Sequence, residues 1–562
     1  MRNTYWPSRS VVAVSLMMAC GAGAYAKDIA KPAVRKSAAP TVLSSSGDAA
    51  RFLEQSSFGP TVSSLAAVQE LGIDAYLDQQ LATAPTGYPK YPWVVANSGQ
   101  RCPSELPANC YRDHYTPFKV QLQFYQNAVT GVDQLRQRVA LAYSQIFVIS
   151  ASKVYLTYGV GDYEQLLLDD AFVNYRQLLK DITLSPAMGY YLDMVNNDGA
   201  ASSGVKPNEN YGREILQLFS IGTVMLNADG TPKLDANGAQ IPTYDQEVVE
   251  GFAHVFTGWT WPTLPGAKKR WPNIANLRGP MAAVAAHHDA GAKPLLNGVT
   301  LPAGQSQSAD LDAALDNIFY HPNVGPFIGK QLIQQLVTSN PSPAYVARIT
   351  AVFNDNGSGV RGDLKAVIRA ILLDPEARGD VKTASDYGKM RDPVLMMTGL
   401  MRGVGGASQT DGEYLNGINK RILEGIFRAP SVFNFYPPDY PLQGTSLVAP
   451  QFGIYNANTA ISRANYINQL LVPGRVVKPD PTVHKATGTT IDLSDWLTAA
   501  GNSDPSVLTD QINGLLFHGA MSSTLRNTII QVVNTIPVSS ASNRAQAALY
   551  IAFTAPEYQL EQ

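Results

Sequence analysis

Cysteine and histidine are scarce in this chain, with three and seven residues among 562. Charge of either sign is nearly cancelled, 43 basic against 45 acidic side chains, for a formal net charge of −2. That balance predicts neither nucleic-acid binding nor attraction to an anionic membrane. Beyond the N-terminal region no apolar run reaches the roughly 20 residues that span a bilayer. The chain has no Gly-x-Ser-x-Gly elbow, no His-Glu-x-x-His, no phosphate-cradling glycine loop closed by Lys-Ser/Thr, and no Cys-x-x-Cys-His. Serine hydrolases, zincins, P-loop NTPases and c-type cytochromes therefore lose their sequence support. No repeat of fixed period marks a solenoid. What the chain does have is 45% hydrophobic residues, enough for one very large domain or two to three ordinary ones.

The N-terminus predicts the compartment. Arg2 and Arg9 precede the small, apolar run Val11–Ala24, and Ala24-Tyr25-Ala26 before Lys27 fits the small-x-small rule of a secretory cleavage site. A signal peptide is thus expected over 1–26, with a periplasmic or extracellular mature protein. Cys20 after Met17-Met18-Ala19 loosely approximates a lipoprotein box, but Leu16 stands one position out of place. Cleavage after Ala26 leaves Cys102 and Cys110, eight positions apart. In an oxidising compartment these predict a disulfide, and they lack the two-residue spacing of metal or redox pairs.

Residues 27–47 read as a flexible Ala/Pro/Ser linker. Helical periodicity then predicts a main domain over 48–472, with helices near 116–130, 133–149, 163–169, 174–182, 186–194, 308–319, 323–338, 343–355, 362–373 and 387–402. The stretch 86–114 is expected as an ordered loop. Hairpins are expected over 224–244, with turns at Asp229-Gly230 and Asn237-Gly238, and over 295–301 at Asn297-Gly298. Residues 429–452 are irregular and aromatic (Phe433, Phe435, Tyr436, Tyr440). A C-terminal helical segment, 473–562, opens with a polar loop and is expected to pack on the same domain. The fold class is mainly α: a large multi-helical domain with small β-hairpin insertions.

Three segments carry candidate chemistry. In Asn208-Glu209-Asn210-Tyr211-Gly212-Arg213-Glu214, Asn208 is placed to cap a helix. A helical wheel sets Glu209 and Arg213 together on the outer side, four apart, and Glu214 on the edge of the face formed by Ile215, Leu218 and Phe219. A second helix begins near Asp245. Its Glu247, Glu250 and His254 share a stripe able to present metal ligands, but Val248, Phe252 and Val255 on the far side read it as a solvated face. Trp259 and Trp261 beyond its end are read both as core residues and as pocket walls that stack on a sugar. In His287-His288-Asp289, a histidine oriented by a carboxylate is the unit of acid–base catalysis and of metal support. No third ligand follows from the spacing, so no metal site is assigned and no cofactor is named.

Taken in order, Arg51–Thr61, Asn208–Glu214, Phe256-Thr257-Gly258-Trp259, His288–Lys293, His321-Pro322-Asn323, Leu372–Arg378 and Pro556-Glu557-Tyr558 resemble the domain-of-unknown-function 1800 family. The resemblance implies an exported, largely helical bacterial protein, often encoded beside a protein related to alkaline phosphatases and sulfatases. It supplies no reaction. The chain departs from the family at Gly212, where relatives usually carry alanine, and at His254, where arginine is common. Two functions are consistent with these readings. One is a hydrolase or lyase acting on a glycan or other polymer, with Glu209, Glu214, Asp245, His288 and Asp289 as the catalytic set and Arg213, Trp259, Trp261 and Lys293 binding substrate. The other is a non-catalytic envelope protein that binds or escorts a partner such as the phosphatase-like neighbour, the same residues forming a buried polar network.

Overall fold

Short polar residues start most of the helices. Ser45, Thr61, Asn174, Ser306, Ser342, Asp363, Asp392 and Ser522 each accept a hydrogen bond from a backbone amide in the first turn that follows. Each such cap contributes about 1 kcal/mol by satisfying an amide that the helix itself leaves free. Proline fixes the first turn at Pro186, Pro343 and Pro393, where its missing amide costs nothing. The computed structural model describes residues 44–96, 109–379, 386–404, 419–471 and 491–562, together with Cys102, Lys382, Ala384 and Gly417. The expected signal peptide, nearly all of the linker and the polar loop after 472 lie outside the described residues.

The fold is mainly α. Helices Phe118–Thr130, Gln134–Ile146, Tyr175–Leu184, Gln307–Phe319, Val324–Leu336, Pro343–Asn354 and Leu364–Leu373 follow the apolar periodicity closely, while Pro393–Gly403 begins six residues after the expected start at 387 because Lys389–Met390 is taken up in a strand. Neighbours in sequence commonly pair in space, as Val324–Leu336 does with Pro343–Asn354 and Ser523–Asn534 with Ala541–Thr554. The helix Thr157–Asp169 begins six residues earlier than periodicity indicates. Tyr158 and Val160 are buried there, and Leu277 fills the space beside Gly159. The first described helix starts at Ser46, inside the expected linker. No helix among the described residues is long and apolar enough to cross a membrane.

The β-structure is sparse. Lys293–Pro294 pairs with Thr300–Leu301 across the expected turn, whereas 224–244 forms only isolated antiparallel bridges. Gly230 and Gly238 turn that segment in the left-handed region, φ 77° and 81°, which glycine enters without steric penalty. The pairing of Lys389–Met390 with Leu560–Glu561 joins distant parts of the chain, and no local pattern announces it. Beside it Glu54 meets Arg391 at 2.9 Å, both buried, and Arg391 also donates to the Tyr558 carbonyl. Two segments of the family resemblance, at 51–61 and 556–558, therefore meet at one buried arginine. Cys102 and Cys110 form the expected disulfide, which closes a short loop and contributes about 2–3 kcal/mol by the chain-entropy estimate.

Candidate functional site

The helix Asn210–Gln217 is the first element of the candidate site. Its cap differs from expectation by one position. Glu209 is the capping residue without a side-chain cap bond, while Asn208 Oδ1 accepts from the Asn210 amide at 2.9 Å. Glu209 and Arg213 form the expected pair at 2.8 Å, and Gln246 of the next helix closes the group by donating to Glu209 at 2.9 Å. Tyr211, Ile215, Leu216 and Phe219 are fully buried. Glu214 is half-buried, and its Oε2 has no hydrogen-bond partner. Burial pushes its carboxyl above the ordinary value, while Arg213 pulls it back.

Helix Gln246–Val255 lies against this one at close range. A Cβ on Gly212 would come within 3.1 Å of the Ala253 nitrogen, so glycine here lets the two helix backbones approach closely. Asp245 caps this second helix, accepting from the Val248 amide at 3.1 Å. It stands at the lip of an open groove of ≈ 470 Å³ with Glu247, and no hydrogen bond links it to the histidines. The stripe Glu247, Glu250, His254 does not converge. Glu250 meets Lys206 at 3.2 Å, and His254 Nδ1 meets Asp289 at 2.8 Å.

The His-His-Asp segment divides among three partners. His287 Nδ1 lies 2.9 Å from Asp198, and its ring stacks on Trp271 at 4.1 Å between centroids. His288 turns inward: Nε2 is 2.8 Å from Asp310 Oδ2, and Nδ1 is 3.1 Å from the Thr257 carbonyl and 3.2 Å from its hydroxyl. Asp289 accepts from His254 and, at 2.7 Å, from the Gly291 amide. Lys293 is fully buried, 2.8 Å from Asp310 and donating to the carbonyls of Asp289 and Gly291. A buried ammonium persists only with such a complete shell of partners. Thr257 Oγ1 completes the cluster by accepting from the Asp289 amide at 2.8 Å.

Gly258 makes the arrangement possible. Its φ is +79°, and a Cβ there would stand 2.8 Å from both the His288 nitrogen and Gln307 Nε2. Trp259 and Trp261, 5% and 9% exposed, are core residues, Trp261 packing on Tyr190. The tryptophans thus offer no open stacking face, and the Lys293 ammonium is held by Asp310 and two backbone carbonyls, which leaves no open group for the expected substrate-binding roles of these three residues.

The structure thus brings together His288, Asp289 and Lys293, and separately Glu209 and Arg213. Glu214 shares no hydrogen bond with His288 or Asp289, and Asp245 stands apart from both. Sequence reasoning missed Asp310 and Asp198, the carboxylates that complete the two histidines. Asp310 reads locally as a helix first-turn acid, and Asp198 sits in a polar Asn-Asn-Asp-Gly turn. Neither position signals a partner 22 or 89 residues away. Among the described residues no cluster of three or more His, Cys, Asp or Glu is arranged to hold a metal.

A family model described as "Protein of unknown function (DUF1800)" matches residues 51–560. The chain belongs to this family. No curated protein and no solved structure matches it. Within this DUF1800 chain, the segments that carry the resemblance build two buried polar centres. Thr257, Gly258, His288, Asp289 and Lys293 form one, and Arg51, Glu54, Arg378 and Tyr558 surround the other.

Proposed function

We propose that this protein acts by binding, as a non-catalytic envelope protein that holds or escorts a partner, with the expected catalytic set serving as structural support. The observation that carries this reading is the saturation of His288 and Lys293 at the centre of the cluster. A general base needs a lone pair within reach of substrate, and His288 has both ring nitrogens engaged while only 4% of its side chain is exposed. Asp289 and Lys293 are equally committed. Export to the periplasm or beyond belongs to the same reading, on the strength of the N-terminal pattern. The partner class is the phosphatase- or sulfatase-like protein that the family resemblance implies.

A glycan hydrolase or lyase is the second reading, favoured by Glu214. A half-buried carboxyl pushed upward, with one oxygen unpartnered, has the character of a general acid. The test uses the purified mature chain and Glu214→Gln, screened against glycan and ester substrates and titrated with a purified alkaline-phosphatase-like partner. Partner binding by both proteins without turnover supports the binding reading. Turnover lost in Glu214→Gln overturns it. Sequencing the N-terminus of protein recovered from the periplasm tests export, with Lys27 as the expected first residue.

A further inference from the structure

A cavity of ≈ 400 Å³ lies apart from the His-His-Asp cluster, between the helices carrying Gln145 and Gln331 and the irregular aromatic segment around Phe433. Its volume falls within the range of small-molecule sites, roughly 300–1,000 Å³. Its wall is unusually rich in amides, with six glutamines among the lining residues. Gln145 is 8% exposed; its amide nitrogen is held by Glu424 at 3.1 Å, and its Oε1 has no partner. Gln331 Nε2 likewise has none. Tyr436 and Gln451, both buried, set a hydroxyl and an amide beside each other on the same wall. Leaving a buried polar atom unpaired costs about 1–3 kcal/mol; these atoms are closed to solvent, so a ligand gains their bonds by a turn of the amide that carries them, which no internal partner on that atom opposes.

We infer that this cavity binds a neutral, hydroxyl-rich ligand of the size of one or two sugar rings. Amides donate and accept alike, as hydroxyl groups do, and so suit a ligand bearing both functions. The lining includes one cation and one anion, Lys330 and Asp439, so net charge gives a charged ligand no preference. Phe433 is 52% exposed at the rim, and it provides the apolar face on which the C–H surface of a sugar packs. Gln217 and Leu218 place the end of the Asn210–Gln217 helix in the same wall. This site is independent of the partner proposed above.

The experiment titrates the mature full-length chain with maltose, cellobiose and N,N′-diacetylchitobiose, and with digalacturonate as the charged control, by ligand-observed NMR. At least one neutral disaccharide is expected to bind and the uronate to bind more weakly. Gln145→Leu is expected to weaken binding about tenfold, the effect of one lost hydrogen bond. Because Gln145 also touches Glu424, Phe433→Ala at the exposed rim serves as the variant that leaves the fold intact, and it too is expected to weaken binding. Absence of binding by all three neutral sugars, tighter binding of the uronate, or affinity unchanged in Phe433→Ala and Gln145→Leu would each overturn the inference.

Discussion

Asp310 Oδ2 sits 2.8 Å from both His288 Nε2 and Lys293 Nζ, with Asp310 and Lys293 excluded from solvent altogether. One carboxylate thus fixes a histidine and a lysine from the family-like segment 288–293, and binds that segment to the helix Gln307–Phe319.

Asp310→Asn should therefore destabilise the protein by about 3–5 kcal/mol, because it strands the Lys293 charge without an anion. Chemical denaturation measures this. The double variant Asp310→Asn with Lys293→Met should recover part of the loss, since removing both charges spares the fold an unpaired one. Additive effects of the two substitutions would show that the pair is not coupled.

Gly258→Ala should cost more than 1 kcal/mol, roughly 1–3 by the scale for left-handed backbone in a non-glycine residue. The added methyl group would also press on the His288 nitrogen. Unfolding temperature is the readout, and an unchanged value would mean that the loop at 288 yields freely.

Glu214 carries a pH dependence whose sign follows from burial. Its carboxyl is raised from 4.5 in the fold, so the folded state prefers it protonated, and stability is lost as pH rises through the folded value. Glu214→Gln should be more stable than the parent above that value. Below 4.5, where both folded and unfolded parent are protonated, the pH-dependent part of the difference should vanish. Stability curves of the two proteins across this range check the crossover.

His321 behaves in the opposite sense. Burial, with Lys233 and Arg361 nearby, lowers it from 6.5 to about 4, and its Nδ1 accepts from the Asn323 amide at 3.2 Å. The unfolded chain takes up a proton first, so stability is lost as pH falls from 6.5 to about 4. His321→Asn should lack that part of the slope in denaturation curves measured between neutral and acid pH.

Much of the fold is legible in the chain. Apolar spacing and polar N-caps locate helices such as Val324–Leu336 and Pro343–Asn354 within a residue or two, because both are local consequences of helical geometry. The Glu209–Arg213 pair, the half-burial of Glu214 and the Cys102–Cys110 disulfide follow from spacing along a few residues. What tertiary structure alone decided is which carboxylate each histidine meets. His287 takes Asp198, His288 takes Asp310, and His254 takes Asp289, each through a chain reversal or helix docking that no local period encodes. The same holds for Trp259 and Lys293, aromatic and charged at the sequence level and buried only in the folded chain. The residue types were fixed by the sequence; burial and partnership, which set whether such groups react, bind or simply hold the fold, arise only when distant segments pack.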